Sequence, residues 1–377
     1  MKIIIAPDKF KGSLTAFDVC RAITAGIKNV DETIEVLSFP MADGGDGFAS
    51  VMQYYLQTES VSCTSMDPLF RTIEAYYQWN EKAKTAIIEM AVASGLVLLK
   101  ENERNPLLTS SYGTGLLIKD AINKGATTII LGLGGSATND GGTGILEALG
   151  FQFLDENNQV LKANGSALLS IRKIIAPPQP ITRFELACDV QNILHGPRGA
   201  SHIYAPQKGA NEQQVQQLDE GLKNLAAILE QQTGKNISNI KGAGAAGGIA
   251  ASLISYFNAE LKAGIDMILS VSNIEKEMKS AQLVITGEGK IDRQSMEGKV
   301  IGRIASLAND REIPIVALCG RLELNAEEIK ETGLTNAFEI GESLSLQESM
   351  GNAKKLLEVK TGKIVSSMLV SLKNTRS

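Results

Sequence analysis

Short apolar runs alternate with amphipathic stretches in the first part of the chain. Residues Lys2–Ala6 predict a buried strand, and a turn at 7–12 leads into a helical pattern that begins with Ser13 as N-cap and ends near Lys28. Thr33–Phe39 predicts a second strand. A strand, a helix and a further strand in this order form a βαβ unit, which favours a parallel sheet.

The same alternation returns in the last part of the chain. It predicts strands at 283–286, 314–318 and 337–340, and helices at 299–310, 322–331 and 351–372. Five strands in this arrangement predict a doubly wound, flavodoxin-like sheet.

The middle of the chain has a different pattern. Strand-like runs follow one another without helices at Val61–Met66, Thr72–Trp79 and Thr85–Met90, which predicts an antiparallel meander. Further strands are predicted at Thr127–Leu131 and Phe184–Cys188, with helices near 211–232 and 247–257. We therefore predict an α/β protein with two domains. A discontinuous flavodoxin-like parallel-sheet domain, residues 1–58 plus 281–377, is interrupted by a second α/β domain with a mixed sheet, residues 59–280.

Composition excludes several classes of protein. The 377 residues carry a formal net charge of −5, whereas nucleic acids and anionic membranes select basic surfaces, so we expect neither partner. The four cysteines show no C-x-x-C spacing, which argues against a zinc knuckle or a redox motif. No stretch approaches the roughly 20 apolar residues of a membrane span, and we expect a cytoplasmic protein. Composition gives no oligomeric state.

Glycines gather in three loops, at 132–144, 242–248 and 286–290. Glycine lets backbone N–H groups turn toward one point, and such loops suit phosphate or carboxylate binding. Tight turns and close packing are the alternative explanation for any one loop. Three glycine-rich loops with acidic neighbours favour anion binding.

One of these loops also fits a different class of enzyme. Gly132-x-Gly134-x-x-Ala137 after a strand matches the dinucleotide fingerprint, and Asp155 follows near the ribose-binding distance. The glycine-rich continuation at 138–144 is a poor start for the helix that this fingerprint requires. The chain also lacks G-x-x-x-x-G-K-[ST], which excludes a P-loop kinase.

Phosphoryl transfer needs cations around the moving group, a carboxylate for the hydroxyl proton and carboxylates for magnesium. Asp8, Lys11 and Ser13 follow the first strand at the sheet edge where open α/β sheets bind ligands. We predict catalytic roles for Asp8 and Lys11, and a substrate- or phosphate-binding role for Ser13. Turn formation, helix capping and a solvated lysine are the structural alternatives.

Two acidic residues among glycines, Asp43 and Asp46, are predicted to hold magnesium, with Asx turns as the alternative. Asp189 ends a predicted strand and is the candidate general base. Arg198 and Lys208 stand in rigid glycine–proline loops and could clamp a carboxylate or phosphate, or be exposed loop charges. The remaining predicted substrate- and phosphate-binding residues are Gly134, Gly135, Ser136, Asn139, Gly287, Glu288 and Asp292.

Eight segments, taken together and in chain order, carry a resemblance. They are 6–14 (APDKFKGSL), 41–47 (MADGGDG), 132–142 (GLGGSATNDGG), 187–190 (ACDV), 196–201 (GPRGAS), 206–210 (PQKGA), 242–248 (GAGAAGG) and 285–289 (ITGEG). They resemble the glycerate kinase family of bacterial sugar-acid catabolism, of the glycerate 2-kinase type. The chain departs from the family pattern at 191–195, where QNILH replaces an expected DNPLx, and at Lys9, where serine is commoner.

The resemblance implies ATP-dependent phosphorylation of D-glycerate, with magnesium, and 2-phosphoglycerate as the product. It also implies a flavodoxin-like domain interrupted by a second α/β domain. Two other classes stay open from the residues themselves: an NAD-dependent oxidoreductase acting on a small hydroxy acid, and a non-catalytic nucleotide or metabolite sensor.

Overall fold

The structure is a computed structural model that describes residues 1–178, 181–296 and 299–374. The chain divides into two compact units. Unit 1 comprises Met1–Asp43 and Ile265–Ser377, and unit 2 comprises Gly44–Gly264.

Strands and helices alternate through most of the described chain. The strands are β1 (Lys2–Pro7), β2 (Glu35–Ser38), β3 (Glu59–Met66), β4 (Thr72–Asn80), β5 (Thr85–Glu89), β6 (Thr128–Gly132), β7 (Gln152–Leu154), β8 (Val160–Leu161), β9 (Lys173–Ile175), β10 (Arg183–Ala187), β11 (Glu260–Lys262), β12 (Leu283–Ile291), β13 (Ile315–Leu322) and β14 (Asn336–Glu339). The helices are α1 (Ala16–Lys28), α2 (Phe48–Leu56), α3 (Ala91–Ser94), α4 (Tyr112–Asn123), α5 (Thr143–Ala148), α6 (Ala200–Tyr204), α7 (Glu212–Thr233), α8 (Ala245–Phe257), α9 (Gly264–Ser272), α10 (Ile274–Met278), α11 (Val300–Asn309), α12 (Ala326–Glu331), α13 (Leu346–Gly351) and α14 (Ala353–Asn374).

Unit 1 is built on a five-stranded parallel sheet in the order β14-β13-β12-β1-β2. Every residue of β1 is buried, as expected for a central strand covered on both faces. The chain runs from β1 to β2 on one side and later returns on the other side through β12. This order is that of a flavodoxin-like sheet, and the predicted fold class is confirmed.

Unit 2 contains a six-stranded mixed sheet in the order β11-β10-β6-β5-β4-β3. The strands β3, β4 and β5 pair antiparallel, as the meander pattern predicts, and β5, β6, β10 and β11 pair parallel. A separate small antiparallel sheet joins β7 with β8 and β9. The core of this unit encloses large side chains such as Tyr77, Trp79 and Phe184.

The two units divide earlier in the chain than the boundaries set from sequence, which were 58/59 and 280/281. Helix α2 packs on β4 and β5, and therefore belongs to unit 2. Helix α10 belongs to unit 1, where Glu277 accepts a hydrogen bond from Lys2 Nζ of β1 at 2.7 Å. That each unit forms a separate folding domain stays a prediction.

The predicted start of α1 is wrong in detail. Thr15, not Ser13, is the N-cap: its hydroxyl accepts a hydrogen bond from the backbone N–H of Asp18 in a capping box. The Ser13 hydroxyl instead donates to the carbonyl of Met350 at 2.8 Å, a partner far along the chain. The strand predicted at Thr33–Phe39 is shorter, because only Glu35–Ser38 pairs with β1.

Candidate active site

The loop after β1 places charged side chains at the carboxyl edge of the unit 1 sheet. Asp8 is 5% exposed, and its Oδ1 accepts a hydrogen bond from the backbone N–H of Lys9 at 2.6 Å. The Lys9 ammonium lies 3.7 Å from Asp8 Oδ1 and 3.4 Å from Asp43 Oδ1. Lys9 therefore bridges two of the acidic residues that the sequence singled out. It was missed as a site residue, although its neighbours in the 8–13 loop carried the signal.

Glu288 on β12 completes an acidic group with Asp8 and Asp43. Burial raises the pKa of Asp8 to about 7, Lys9 opposes the rise, and the carboxylates of Asp43 and Glu288 add to it. Burial also raises the pKa of Glu288 to about 6, with a further contribution from Asp43. These carboxyl groups take up protons near neutral pH, as groups that exchange protons with a substrate do.

These residues line one pocket of about 290 Å³, whose walls all belong to unit 1. Of the predicted site residues, the pocket brings together Asp8, Lys11, Ser13, Asp43 and Glu288. Its other walls are Lys9, Phe10, Gly289, Lys290, Gly320, Ile340, Leu346, Ser349, Met350 and Ala353. The apolar part of this lining was not predicted from sequence.

Two of the predicted site residues in unit 1, Gly287 and Asp292, do not line this pocket. A Cβ on Gly287 would lie 2.3 Å from the carbonyl oxygen of Leu318, so this glycine allows close pairing of β12 with β13. Asp292 lies 3.3 Å from the ammonium of Lys290, and its Oδ1 accepts a hydrogen bond from the backbone N–H of Ser295 at 3.1 Å. Both positions are explained by local structure, and neither lines the pocket.

Magnesium is the metal that the resemblance implies, and the carboxylates of unit 1 can be compared with its ligand chemistry. Among the residues that the structure describes, no three His, Cys, Asp or Glu side chains form a metal site on their own. Glu288 Oε1 is nevertheless buried without a hydrogen-bond partner in the described chain. Because Mg²⁺ takes one or two protein carboxylates and completes its shell with water and phosphate oxygens, Asp43 and Glu288 fit its chemistry.

In unit 2, the glycine-rich loop after β6 gathers several of the predicted residues. Gly134 packs against the backbone of Gly45, and Gly135 lies beside the exposed Asp46. Ser136 accepts a hydrogen bond from Lys208 Nζ at 2.7 Å. Asn139 is fully buried, and its side-chain amide donates to the Ser201 hydroxyl at 3.1 Å.

Lys208 is not the exposed loop charge that was the structural alternative for this residue. The residue is 2% exposed, and its Nζ also donates to the carbonyl of Thr138 at 2.6 Å. Burial lowers the pKa of Lys208 to about 7, and the charge of Asp140 opposes this fall. Through its hydrogen bonds to Ser136 and Thr138, the Lys208 ammonium group holds the 136–138 segment in place.

Asp140 also stabilises this loop, although it was not among the residues predicted from sequence. Its carboxylate is fully buried and accepts hydrogen bonds from the Ser111 backbone and hydroxyl, both at 2.7 Å, and from the N–H groups of Gly142 and Gly144 at 3.1 and 3.2 Å. Burial raises its pKa, and these donors counteract the rise. Asp140 therefore shapes the loop.

The two other predicted residues of unit 2 lie on the segment after β10. Asp189 is half-buried, and its Oδ1 accepts a hydrogen bond from the backbone N–H of Gly264 at 3.1 Å. Arg198 is exposed, and its carbonyl accepts a hydrogen bond from the Asn192 side chain at 3.0 Å.

The dinucleotide fingerprint does not have the structure that it requires. Helix α5 begins at Thr143, well after Ala137, so the helix that the fingerprint requires does not follow its glycines directly. Asp155 lies in the turn between β7 and β8, where its Oδ1 accepts hydrogen bonds from the N–H groups of Asn157 and Gln159, both at 2.8 Å. The hydride-transfer alternative has no support in this geometry.

Comparisons with known proteins all give the same family, and the matches extend over almost the whole chain. Residues 3–369 match the model of the glycerate kinase family. A glycerate kinase of Halalkalibacterium halodurans is 42% identical over 361 residues, covering 94% of this chain and 95% of the relative. The glycerate 2-kinase of Escherichia coli is 37% identical over 379 residues, covering 99% of this chain and 100% of the relative.

A solved structure is similar over the same length. A crystal structure from Salmonella typhimurium LT2, assigned as glycerate kinase 2, has a TM-score of 0.83 and 34% sequence identity, and the match covers 99% of each chain. Along the described residues, no helix combines the length and apolar character needed to cross a membrane.

Proposed function

This chain belongs to the glycerate kinase family, and we propose from that premise that it phosphorylates D-glycerate at the 2-hydroxyl group to give 2-phosphoglycerate. It is a phosphotransferase with an alcohol group as acceptor, and its substrates are glycerate and ATP. The observation that supports a phosphoryl-transfer site most directly is the pocket in unit 1 where Asp8, Asp43 and Glu288 meet lysine side chains.

In the proposed reaction, the glycerate hydroxyl oxygen forms a bond to the γ-phosphorus of ATP. The bond from that phosphorus to the β–γ bridging oxygen breaks, and ADP leaves. The hydroxyl proton passes to a carboxylate. Phosphoryl transfer of this kind depends on positioning and charge compensation more than on covalent chemistry by the protein.

Asp8 and Asp189 are the two carboxylates that we propose for the proton. Asp8 is favoured because burial raises its pKa to about 7, which matches a base that works near neutral pH. Asp189 is half-buried, with one oxygen held by the N–H of Gly264. Lys11 lines the unit 1 pocket and would compensate phosphate charge there.

The metal that we propose is Mg²⁺, which supplies charge neutralisation on the phosphates when bound. In unit 1, Asp43 would hold it together with Glu288. Asp46, the other carboxylate predicted as a ligand, is exposed in unit 2 beside Gly135 and stays a proposed ligand.

For unit 2 we propose that the loop of Gly134, Gly135, Ser136 and Asn139 contributes anion-binding groups, and that Arg198 binds the glycerate carboxylate. Lys208 is 2% exposed and is hydrogen-bonded to the same loop. Its proposed role is to hold this loop through Ser136 and Thr138.

The test is phosphorus NMR of the product formed from ATP and D-glycerate, which distinguishes 2-phosphoglycerate from 3-phosphoglycerate. Asp8→Asn and Asp189→Asn are compared in the same assay, each with ATP affinity measured separately. Loss of a general base lowers turnover by roughly 100- to 10,000-fold, and we expect this loss for Asp8→Asn. Unchanged turnover in Asp8→Asn, with a large loss in Asp189→Asn, would move the base to Asp189. No product from either glycerate enantiomer would refute the function.

A further inference from the structure

The pocket in unit 1 is lined by two chemically different groups of side chains. The charged group comprises Asp8, Lys11, Asp43 and Glu288. The apolar group, which we call the apolar end, comprises Phe10 and four side chains from residues 340–353: Ile340, Leu346, Met350 and Ala353. The charged groups account for phosphates and metal, whereas the apolar end has no part in the transfer described above.

Backbone segments pack closely at one wall of the pocket. A Cβ on Gly320 would lie 2.8 Å from the carbonyl oxygen of Gly289, and a Cβ on Gly289 would lie 3.0 Å from the backbone nitrogen of Lys11. The two glycines therefore let the paired strands β12 and β13 lie directly against the loop after β1.

Helix α13 forms another wall of the pocket, and it is hydrogen-bonded to the loop that follows β1. The Ser13 hydroxyl donates to the Met350 carbonyl at 2.8 Å, and the Met350 methyl group lies 3.0 Å from the position of a Cβ on Gly12. The hydrogen bond fixes the distance between the charged loop and the apolar wall. A ligand that reaches both would meet a preformed site.

Leu346 is the exposed member of this wall. Its side chain is 71% exposed at the first position of α13, although it lines the pocket. Leu344, two residues earlier, is 43% exposed and does not line the pocket. The two leucines make a matched pair of surface positions for a test.

We propose that the apolar end of this pocket binds the purine base of ATP, with the triphosphate extending toward Lys11 and the carboxylates. The inference rests on the proposed function, since it names the part of one substrate that this end takes. Glycerate offers only a carboxylate, two hydroxyl groups and a short carbon chain, so an apolar wall does little for it. The base is the one large, flat, weakly polar group in either substrate.

Size and position agree with this assignment. Sites for ligands of nucleotide size have volumes of roughly 300–1,000 Å³ and mostly apolar linings with a few polar groups. The volume of about 290 Å³ lies close to the lower limit of this range. The pocket lies at the carboxyl edge of the sheet, where strand order reverses between β1 and β12 and where open α/β sheets bind ligands.

The experiment compares ATP with inorganic tripolyphosphate, which has the phosphates without the base. Dissociation constants of both are measured with Mg²⁺ by competition against a fluorescent ATP analogue labelled on the ribose. The proteins are wild type, Leu346→Ala, Met350→Ala, the double variant Leu346→Ala/Met350→Ala and the control Leu344→Ala, with thermal melting to verify folding. We expect the double variant Leu346→Ala/Met350→Ala to bind ATP roughly 10-fold more weakly, because it loses apolar contacts with the base. Tripolyphosphate binding stays unchanged in all variants, and Leu344→Ala resembles wild type.

Equal ATP affinity in wild type and the double variant would overturn the assignment, as would equal weakening of ATP and tripolyphosphate. Glycerate-dependent ADP formation is measured in parallel. Turnover with an unchanged KM for ATP in the double variant would refute the base site and leave the kinase function intact. If the double variant weakens binding of ATP but not of tripolyphosphate, and the wild type does not phosphorylate glycerate, the base site is supported and the proposed kinase function is refuted.

Discussion

Two loops of this chain have nearly the same sequence and very different surroundings. Residues 43–47 read Asp-Gly-Gly-Asp-Gly, and residues 140–144 read Asp-Gly-Gly-Thr-Gly. The Asp43 side chain is 32% exposed, lies 3.4 Å from the Lys9 ammonium and faces a pocket. Asp140 is fully buried, and its carboxylate accepts four hydrogen bonds from its own loop and from Ser111.

The difference shows why a sequence motif does not by itself define a role. An aspartate among glycines can organise a loop when the neighbouring N–H groups point at its carboxylate, as they do at Asp140. At Asp43 the carboxylate pairs with the Lys9 ammonium and lines a pocket instead of organising its own loop. Substitution of Asp140 is therefore expected to lower the stability of the protein, and substitution of Asp43 is expected to lower its activity.

The largest effect is expected for Asp140→Ala. The substitution leaves the N–H groups of Ser111, Gly142 and Gly144 buried without their acceptor, and each such group costs about 1–3 kcal/mol. We expect the free energy of unfolding to fall by about 3 kcal/mol or more. Urea denaturation followed by circular dichroism measures it, with Asp43→Ala as the control, for which we expect a change of about 1 kcal/mol or less. Equal losses in the two variants would contradict the distinction between the loops.

A smaller effect is expected when the fourth residues of the two motifs are exchanged. Thr143 is fully buried, and its hydroxyl donates to the Asp140 carbonyl at 2.7 Å, so Thr143→Asp places a second carboxyl group beside a buried one. Such a group becomes protonated instead of carrying its charge, and we expect a loss of about 2 kcal/mol in unfolding free energy. Asp46→Thr changes an exposed residue, and its unfolding free energy should stay within about 0.5 kcal/mol of wild type. A stable Thr143→Asp protein would show that the second loop tolerates the composition of the first.

Sequence patterns were sufficient for most of the fold because the central parallel strands of unit 1, β1, β12 and β13, are largely buried. Such strands read as continuous apolar runs, and their alternation with helices leaves few possible orders. The start of α1 was misassigned between two residues that can both cap a helix. The Thr15–Asp18 spacing of a capping box was visible, whereas the partner of Ser13 at Met350 was not.

Candidate site residues could be proposed from sequence where they lie at or after the carboxyl ends of parallel strands. Asp8, Asp43 and Glu288 were candidates on that ground, because the ends of adjacent parallel strands meet at one edge of the sheet. The burial of Lys208 depends on Ser136 and Thr138, which are distant in sequence, and no local pattern indicates it. Leu346 and Met350 are ordinary apolar residues, and nothing in the sequence around them indicates a binding site. Their position in the pocket lining is visible only in the tertiary structure.

The smallest effect concerns the electrostatic interaction between Asp43 and Asp8, which line the same pocket. The carboxylate of Asp43 contributes to the raised pKa of Asp8, so Asp43→Asn should lower that pKa from its value of about 7. Because the folded protein binds this proton more tightly than the unfolded chain, Asp8 reduces stability as the pH rises from about 4 to about 7. Asp43→Asn should make this decline smaller and end it at a lower pH. Carbon NMR of the Asp8 carboxyl group measures the pKa directly, with Asp46→Asn as the control. An unchanged Asp8 titration in Asp43→Asn would mean that solvent screens the two carboxylates from each other, and that Asp43 does not share the pocket's electrostatics.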